Sequence, residues 1–119
     1  MRSDLGDLAR LKHAVEAMEE IETYTSGIDF EQFDSNSMMR YACVKQLEII
    51  GEACRHLSQE LKARYSEIPW VHIVGMRNVF VHEYFGIDSM LVWEIVKSDL
   101  PEFKEQLLFI LAHIESSSE

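Results

Sequence analysis

The sequence predicts an all-α protein, a single-domain antiparallel bundle of about five helices. Three observations predict it. Apolar residues recur at steps of three and four along most of the chain. Alternating β-branched runs are absent. Only two prolines occur in 119 residues, so little interrupts long helices. That length supports one modest core, and the 47% apolar content is ordinary for a globular chain. No repeat or linker divides the sequence, so residues 1–119 are expected as one domain, with 115–119 read as a frayed tail.

The first helix is expected from Asp4 to Thr23. Leu5, Leu8, Leu11, Val15, Met18 and Ile21 form its apolar stripe, and Glu16, Glu19, Glu20 and Glu22 its solvent side. Ser26-Gly27 stops it. Phe30 and Phe33 then plug the core from a short turn. A second helix, the longest, runs from Asn36 or Ser37 to Ala63. Its stripe is Met39, Cys43, Leu47, Ile50, Cys54, Leu57 and Leu61. Cys43 and Cys54 lie about three turns apart on that face, or ~16 Å. That is too far for a disulfide, so both read as core thiols. The opposite face carries Tyr41, Lys45, Glu48, Glu52, Arg55 and Gln59, whose charges sit close enough along the helix to pair.

The third helix is expected from Pro69 to about Phe85. Pro69 suits a first helical turn, Ser66 or Glu67 can serve the free amides, and Gly86 is the stop. Asp88 then caps a fourth helix that buries Leu91, Val92, Ile95 and Val96, with Trp93 to one side. Asp99-Leu100-Pro101-Glu102 has capping-box spacing with proline inside the first turn. It predicts a break and a fifth helix from Leu100 to Ile114.

Composition narrows the function classes. No apolar run approaches a membrane span, and the acidic N-terminus is unlike a signal peptide; a cytoplasmic protein without membrane contact is expected. The net charge of −10 disfavours general nucleic-acid binding. The distribution is uneven, however. Residues 40–77 hold six of the eleven basic residues against four acids, a net of +2 that leaves −12 on the rest. The centre of the chain can face a phosphate; the ends cannot.

One residue breaks the apolar pattern. On a regular helix, Trp70, Ile73, Val74, Val81 and Tyr84 all fall within roughly 60° of Arg77. A guanidinium at the centre of an apolar stripe is costly unless paired. Glu52 is the expected partner, with Glu48 next to it; the alternative is that both acids belong to a surface ladder of ion pairs. The residues that follow carry chemistry. His82 can give and take a proton near neutral pH. The Arg77 fork matches phosphate oxygens. Asn78 donates and accepts, and Tyr84 offers a hydroxyl on an apolar body. This set suits RNA cleavage without a metal: His82 acts on the 2′-hydroxyl or the leaving oxygen, and Arg77 stabilises charge in the transition state. No carboxylate cluster for magnesium accompanies it, and no cofactor is expected. Positions 77 and 82 lie ~140° apart on a regular helix. Either the helix loosens near Val81, or both edges of the arc line one cleft, or a second subunit closes the site. Packing and surface charge alone would also account for an arginine and a histidine on one helix.

Arg77-x4-His82-x-Tyr84 resembles the R-x4-H-x-Y motif of HepT-like toxins in the HEPN superfamily. The likeness extends to Leu47-Glu48-Ile49-Ile50-Gly51-Glu52-Ala53, Ile68-Pro69-Trp70, Gly75-Met76-Arg77-Asn78, Trp93-Glu94 and Asp99-Leu100-Pro101. It covers Asp4 to Ile114. The resemblance implies an all-helical homodimer whose motifs meet in a composite cleft. It further implies a metal-independent endoribonuclease toxin, opposed by an MntA-like nucleotidyltransferase antitoxin that transfers AMP onto the motif tyrosine. Arg77 and His82 are then catalytic, Asn78 supports them, and Tyr84 is the AMPylated residue. A phosphodiester added beside Arg77 would occupy the RNA phosphate site. The alternative is a non-catalytic module of the same fold that holds a nucleotide or the nucleotidyltransferase partner.

Overall fold

The computed structural model describes residues 2–78 and 88–117. Every regular element among them is helical, as the periodicity predicts. The first helix, α1, spans Arg2–Thr25. It buries Leu11, Ala14, Val15, Ala17, Met18 and Ile21. Leu5, expected on that stripe, is 71% exposed, and the same turn of helix buries Asp7 instead. Gly27 ends the helix with φ 73°, in the left-handed region that favours glycine.

The short helix α2 spans Phe30–Asp34. The Asp29 carboxylate accepts from the Gln32 N–H at 2.9 Å, and the Gln32 side chain accepts from the Asp29 N–H at 2.9 Å. This reciprocal cap stabilises a helix too short to persist alone. Phe33 is fully buried, and the Phe33 and Phe30 rings meet Trp93 at centroid distances of 5.2 and 6.1 Å.

The central helix, α3, spans Ser37–Arg55 and is capped by Asn36, whose side chain accepts from the Met39 N–H at 3.0 Å. It packs along α1 and also meets α2 and the later elements. Cys43, Leu47, Ile50 and Cys54 are fully buried on its inner face, each large aliphatic side chain contributing ~1.5–3 kcal/mol. Both cysteines are free. Burial pushes the Cys43 thiol up to about 11 and the Cys54 thiol up to about 12, with Lys97 and Lys62 respectively pulling weakly the other way.

The expected single helix from residue 37 to 63 is divided. α3 stops at Arg55, and α4 begins at Gln59 and ends at Arg64. The reason is Ser58. Its backbone is extended (φ −64°, ψ 150°), and its hydroxyl accepts from the Leu61 N–H at 3.1 Å as an N-cap. The buried Asp7 carboxylate fixes it there, accepting from the Ser58 N–H at 2.8 Å and the Ser58 hydroxyl at 2.6 Å. Leu57 and Leu61 remain buried across the break, so the apolar stripe alone gave no sign of it.

Helix α5 is short, Trp70–Gly75. Pro69 sits just outside it as the N-cap, without a side-chain hydrogen bond; Ser66 and Glu67 do not cap it as expected. The chain enters instead through tight turns, Ile68 N–H to Tyr65 O at 3.1 Å and Trp70 N–H to Ile68 O at 2.8 Å. The Trp70 indole N–H also donates to the Tyr65 carbonyl, at 3.0 Å. The expected α-helix gives way to a 3₁₀ turn at Met76–Asn78, and its stretch from 79 to Phe85 lies outside the described residues. The predicted Gly86 stop lies outside the described residues.

Asp88 caps α6, Ser89–Glu94, by accepting from the Leu91 N–H at 3.1 Å. Val92, Ile95 and Val96 are buried as expected, but Leu91 is 41% exposed. The predicted break near Pro101 is absent. A π turn, Ile95–Asp99, carries the chain directly into α7, Leu100–Ser117. Proline has no N–H to continue an α ladder and crowds the carbonyl four residues back. The wider turn, with the Leu100 N–H reaching the Ile95 carbonyl, lets the helix run through. No breaker follows Ile114, and α7 continues past that expected end. α7 packs on α1, where Lys104 meets Glu22 at 2.8 Å and Glu19 at 3.6 Å. Among the described residues, no helix is long and apolar enough to cross a membrane.

Two outcomes follow from this packing. Asp7→Ala leaves the Ser58 N–H and hydroxyl without their buried acceptor, and is expected to cost about 1–3 kcal/mol in denaturant or thermal unfolding. Iodoacetamide at pH 8 is expected to leave Cys43 and Cys54 unmodified in the native protein and to alkylate both in denaturant, as read by mass spectrometry.

Candidate active site

The site begins with the approach of two backbones. Gly51 faces the 3₁₀ turn from near the C-terminal end of α3. A Cβ at that position would lie 2.6 Å from the Arg77 backbone nitrogen, 2.9 Å from the Arg77 Cβ and 2.9 Å from the Val74 carbonyl oxygen. Only glycine permits this contact. Glycine inside a helix costs ~0.5–1 kcal/mol relative to alanine, so its place here is explained by packing rather than by helix propensity.

The 3₁₀ turn also decides where Arg77 points. Burial follows Trp70, Ile73 and Met76, steps of three that match a tightening turn. Met76 takes the core position. Arg77 is not at the centre of a buried stripe, as a regular helix required; its side chain is 35% exposed and lies against α3. The regular helical wheel therefore fails at Met76–Asn78. The loosening expected near Val81 and the relation between positions 77 and 82 lie outside the described residues.

Arg77 Nε lies 3.5 Å from Glu52 Oε1, an ion-pair separation. The other carboxylate oxygen, Oε2, is 3.0 Å from His56 Nε2 and 3.3 Å from Arg55 Nη1. Glu52 thus has a cation or an imidazole on each oxygen. The hydrogen bond with His56 chiefly holds its carboxyl below the usual glutamate range; burial opposes it, and the Arg77 and Arg55 charges add smaller lowering effects. Glu48 lies one turn away and pairs with Lys45 at 3.9 Å. Lys62 donates to the Arg55 carbonyl at 3.3 Å, adding a further cation at the end of α3. The surplus of basic residues between 40 and 77 is therefore gathered in part around one carboxylate.

The fold brings Arg77 and Glu52 together. Asn78 closes the 3₁₀ turn. The Asn78 side chain, His82 and Tyr84 lie outside the described residues. Sequence reasoning passed over His56, although its i, i+4 spacing from Glu52 was available as a signal. It also passed over the steric role of Gly51, which an isolated glycine in a strongly helical stretch could have indicated. Among the described residues, no three His, Cys, Asp or Glu side chains converge as a metal site.

Comparison with known proteins bears on this arrangement. The family model described as "Ribonuclease HepT-like" matches residues 14–110, which include every residue named in the cluster. The chain belongs to the HepT-like ribonuclease family. It is 40% identical over 99 residues to a Methanocaldococcus jannaschii protein named "Putative RNase MJ1380", covering 83% of this chain and 91% of that one. It is 39% identical over 94 residues to the Thermococcus cleftensis protein named "Probable ribonuclease HepT", covering 79% and 86%. A protein of Caldanaerobacter subterraneus named "Putative RNase TTE0752" is 38% identical over 101 residues, covering 85% and 90%. No solved structure matches the chain.

Gly51→Ala tests the backbone contact. The added methyl meets backbone atoms that cannot swing aside, so the 3₁₀ turn must move off α3. A loss of about 1–3 kcal/mol in stability is expected, together with a displaced Arg77 in a crystal structure of the variant.

Proposed function

We propose that this chain is a metal-independent endoribonuclease, the toxin of a HepT/MntA-type pair, working as a homodimer in the cytoplasm. One observation carries the reading: Arg77-x4-His82-x-Tyr84 lies inside the segment that matches the HepT-like ribonuclease family. The chemistry of these residues supports it. His82 takes the proton of a 2′-hydroxyl. The 2′-oxygen attacks the adjacent phosphorus, the bond to the 5′-oxygen breaks, and the departing oxygen receives a proton. The products are a cyclic phosphate and a free 5′-hydroxyl. Arg77 is a permanent cation that stabilises the charge gathering on the non-bridging oxygens, and Asn78 supports it.

One histidine leaves the second proton transfer without a group of its own. A two-fold partner bringing its own motif to a shared cleft supplies a second imidazole, which favours the dimer. RNA is the substrate. The partner is an MntA-like nucleotidyltransferase that places AMP on Tyr84. The added phosphodiester lies where Arg77 would otherwise receive RNA, which silences the enzyme. The acidic balance of the chain points to a narrow RNA substrate rather than to indiscriminate binding.

Inducible expression of the wild type and of His82→Ala tests this, with sequencing of RNA fragment ends. Growth arrest with discrete new ends is expected from the wild type, both abolished by His82→Ala. Arrest that persists in a stable His82→Ala protein would remove the catalytic assignment. Intact RNA in both strains, with ATP or AMP raising the melting temperature of the purified protein, would favour the non-catalytic nucleotide-binding module.

A further inference from the structure

The Glu52 carboxylate divides its two oxygens between two elements. Oε1 faces Arg77 on the 3₁₀ turn, and Oε2 faces His56 and Arg55 at the end of its own helix. As a stabilising device the arrangement is weak, because every partner is partly solvated and exposed ion pairs contribute little. As an orienting device it is well made. A guanidinium rotates freely about its long stem unless its inner edge is held. Nε is that inner edge, and it carries one of the five N–H donors. A carboxylate 3.5 Å from it, at ion-pair separation, biases the plane of the fork and leaves the four Nη hydrogens uncommitted by this contact. The carboxylate is itself steadied from the other side, since His56 at 3.0 Å and Arg55 at 3.3 Å restrict its rotation. Gly51, one residue before Glu52, lets the two elements approach where a Cβ would meet the Arg77 and Val74 backbone.

We infer that Glu52 is a positioning residue for Arg77, and that His56 acts through Glu52 by holding its second oxygen. The inference rests on the proposed ribonuclease reading, in which the Arg77 fork meets a phosphodiester. It predicts a division between binding and turnover. A freely rotating Arg77 still attracts RNA by its charge, but seldom presents its fork to the transition state. Misplacement of a group on this scale costs ~10- to 100-fold in rate.

The test is single-turnover and steady-state cleavage of an RNA identified from the expression experiment, using the full-length protein. Glu52→Gln should lower kcat by ~10- to 100-fold while KM and the melting temperature stay near wild type. His56→Ala should give a smaller loss of the same kind, since Arg55 still holds the carboxylate. Lys45→Gln, on the same helix face, should change neither constant. In an Arg77→Ala background Glu52→Gln should cost nothing more, because its effect passes through Arg77. An unchanged kcat in Glu52→Gln, or a loss that adds fully to that of Arg77→Ala, would overturn the inference. A second measurement separates it from the ribonuclease reading. The Arg77 Nε–H resonance, observed by ¹⁵N NMR, should exchange slowly with water in the wild type and quickly in Glu52→Gln. An inert wild type with that exchange difference would remove the ribonuclease reading and leave the Arg77 contact standing. An inert wild type without it would remove both.

Discussion

The absence of a side chain at position 51 is the constraint on which the site depends. Two helical backbones ordinarily stand apart by the thickness of the side chains between them. Here the separation is set by Gly51, and the Arg77 backbone nitrogen sits 2.6 Å from where a Cβ would be. Once that contact forms, several features follow together. The chain after Gly75 tightens into a 3₁₀ turn, Met76 falls into the core, and Arg77 is delivered to the flank of α3 beside Glu52. The apolar core holds α3 in place, but the contact at Gly51 determines what α3 presents to Arg77.

Much of the fold was legible in the sequence because burial at helical spacing is a local signal. The stripe from Met39 to Cys54 gave the central helix, and Asn36 and Asp88 marked two helix starts that the structure confirms. The failures share a physical origin: each was caused by a group distant in sequence or by a change of helical type. Ser58 leaves the helix because Asp7, 51 residues earlier, claims its N–H and hydroxyl. No pattern local to residues 55–60 could show that. Arg77 was assigned to a buried stripe because the wheel assumed 3.6 residues per turn, and the turn at residues 76–78 is tighter. Within the site, Glu52 was recognisable as a candidate because it lay on the face opposite the core. His56 lies one turn beyond Glu52 and outside the Arg77-to-Tyr84 motif, so the motif alone did not point to it.

The electrostatics of the chain acquire a simpler meaning in three dimensions. Arg55 and Arg77 converge on one carboxylate, so their immediate surroundings carry a net positive charge within a molecule of net charge −10. Acidic residues elsewhere serve other purposes. Glu19 and Glu22 clasp Lys104 and tie the first helix to the last, while Asp7, Asp29 and Asp88 serve the starts of α4, α2 and α6 respectively. An acidic chain of this kind repels polyanions at a distance, and least where its few cations are gathered.

The π turn at Ile95–Asp99 has a geometric consequence. Extended at a constant ~100° per residue, the apolar residues of α6 and those of α7 would centre on directions roughly 60° apart. The wider turn underwinds the chain between them. It acts as a splice that brings two out-of-phase stripes back to one bearing, so that Val92 and Leu107 both face inward. Helical structure is thereby continuous from Ser89 to Ser117. One wide turn lets helical structure pass without a loop into the turn that holds Pro101.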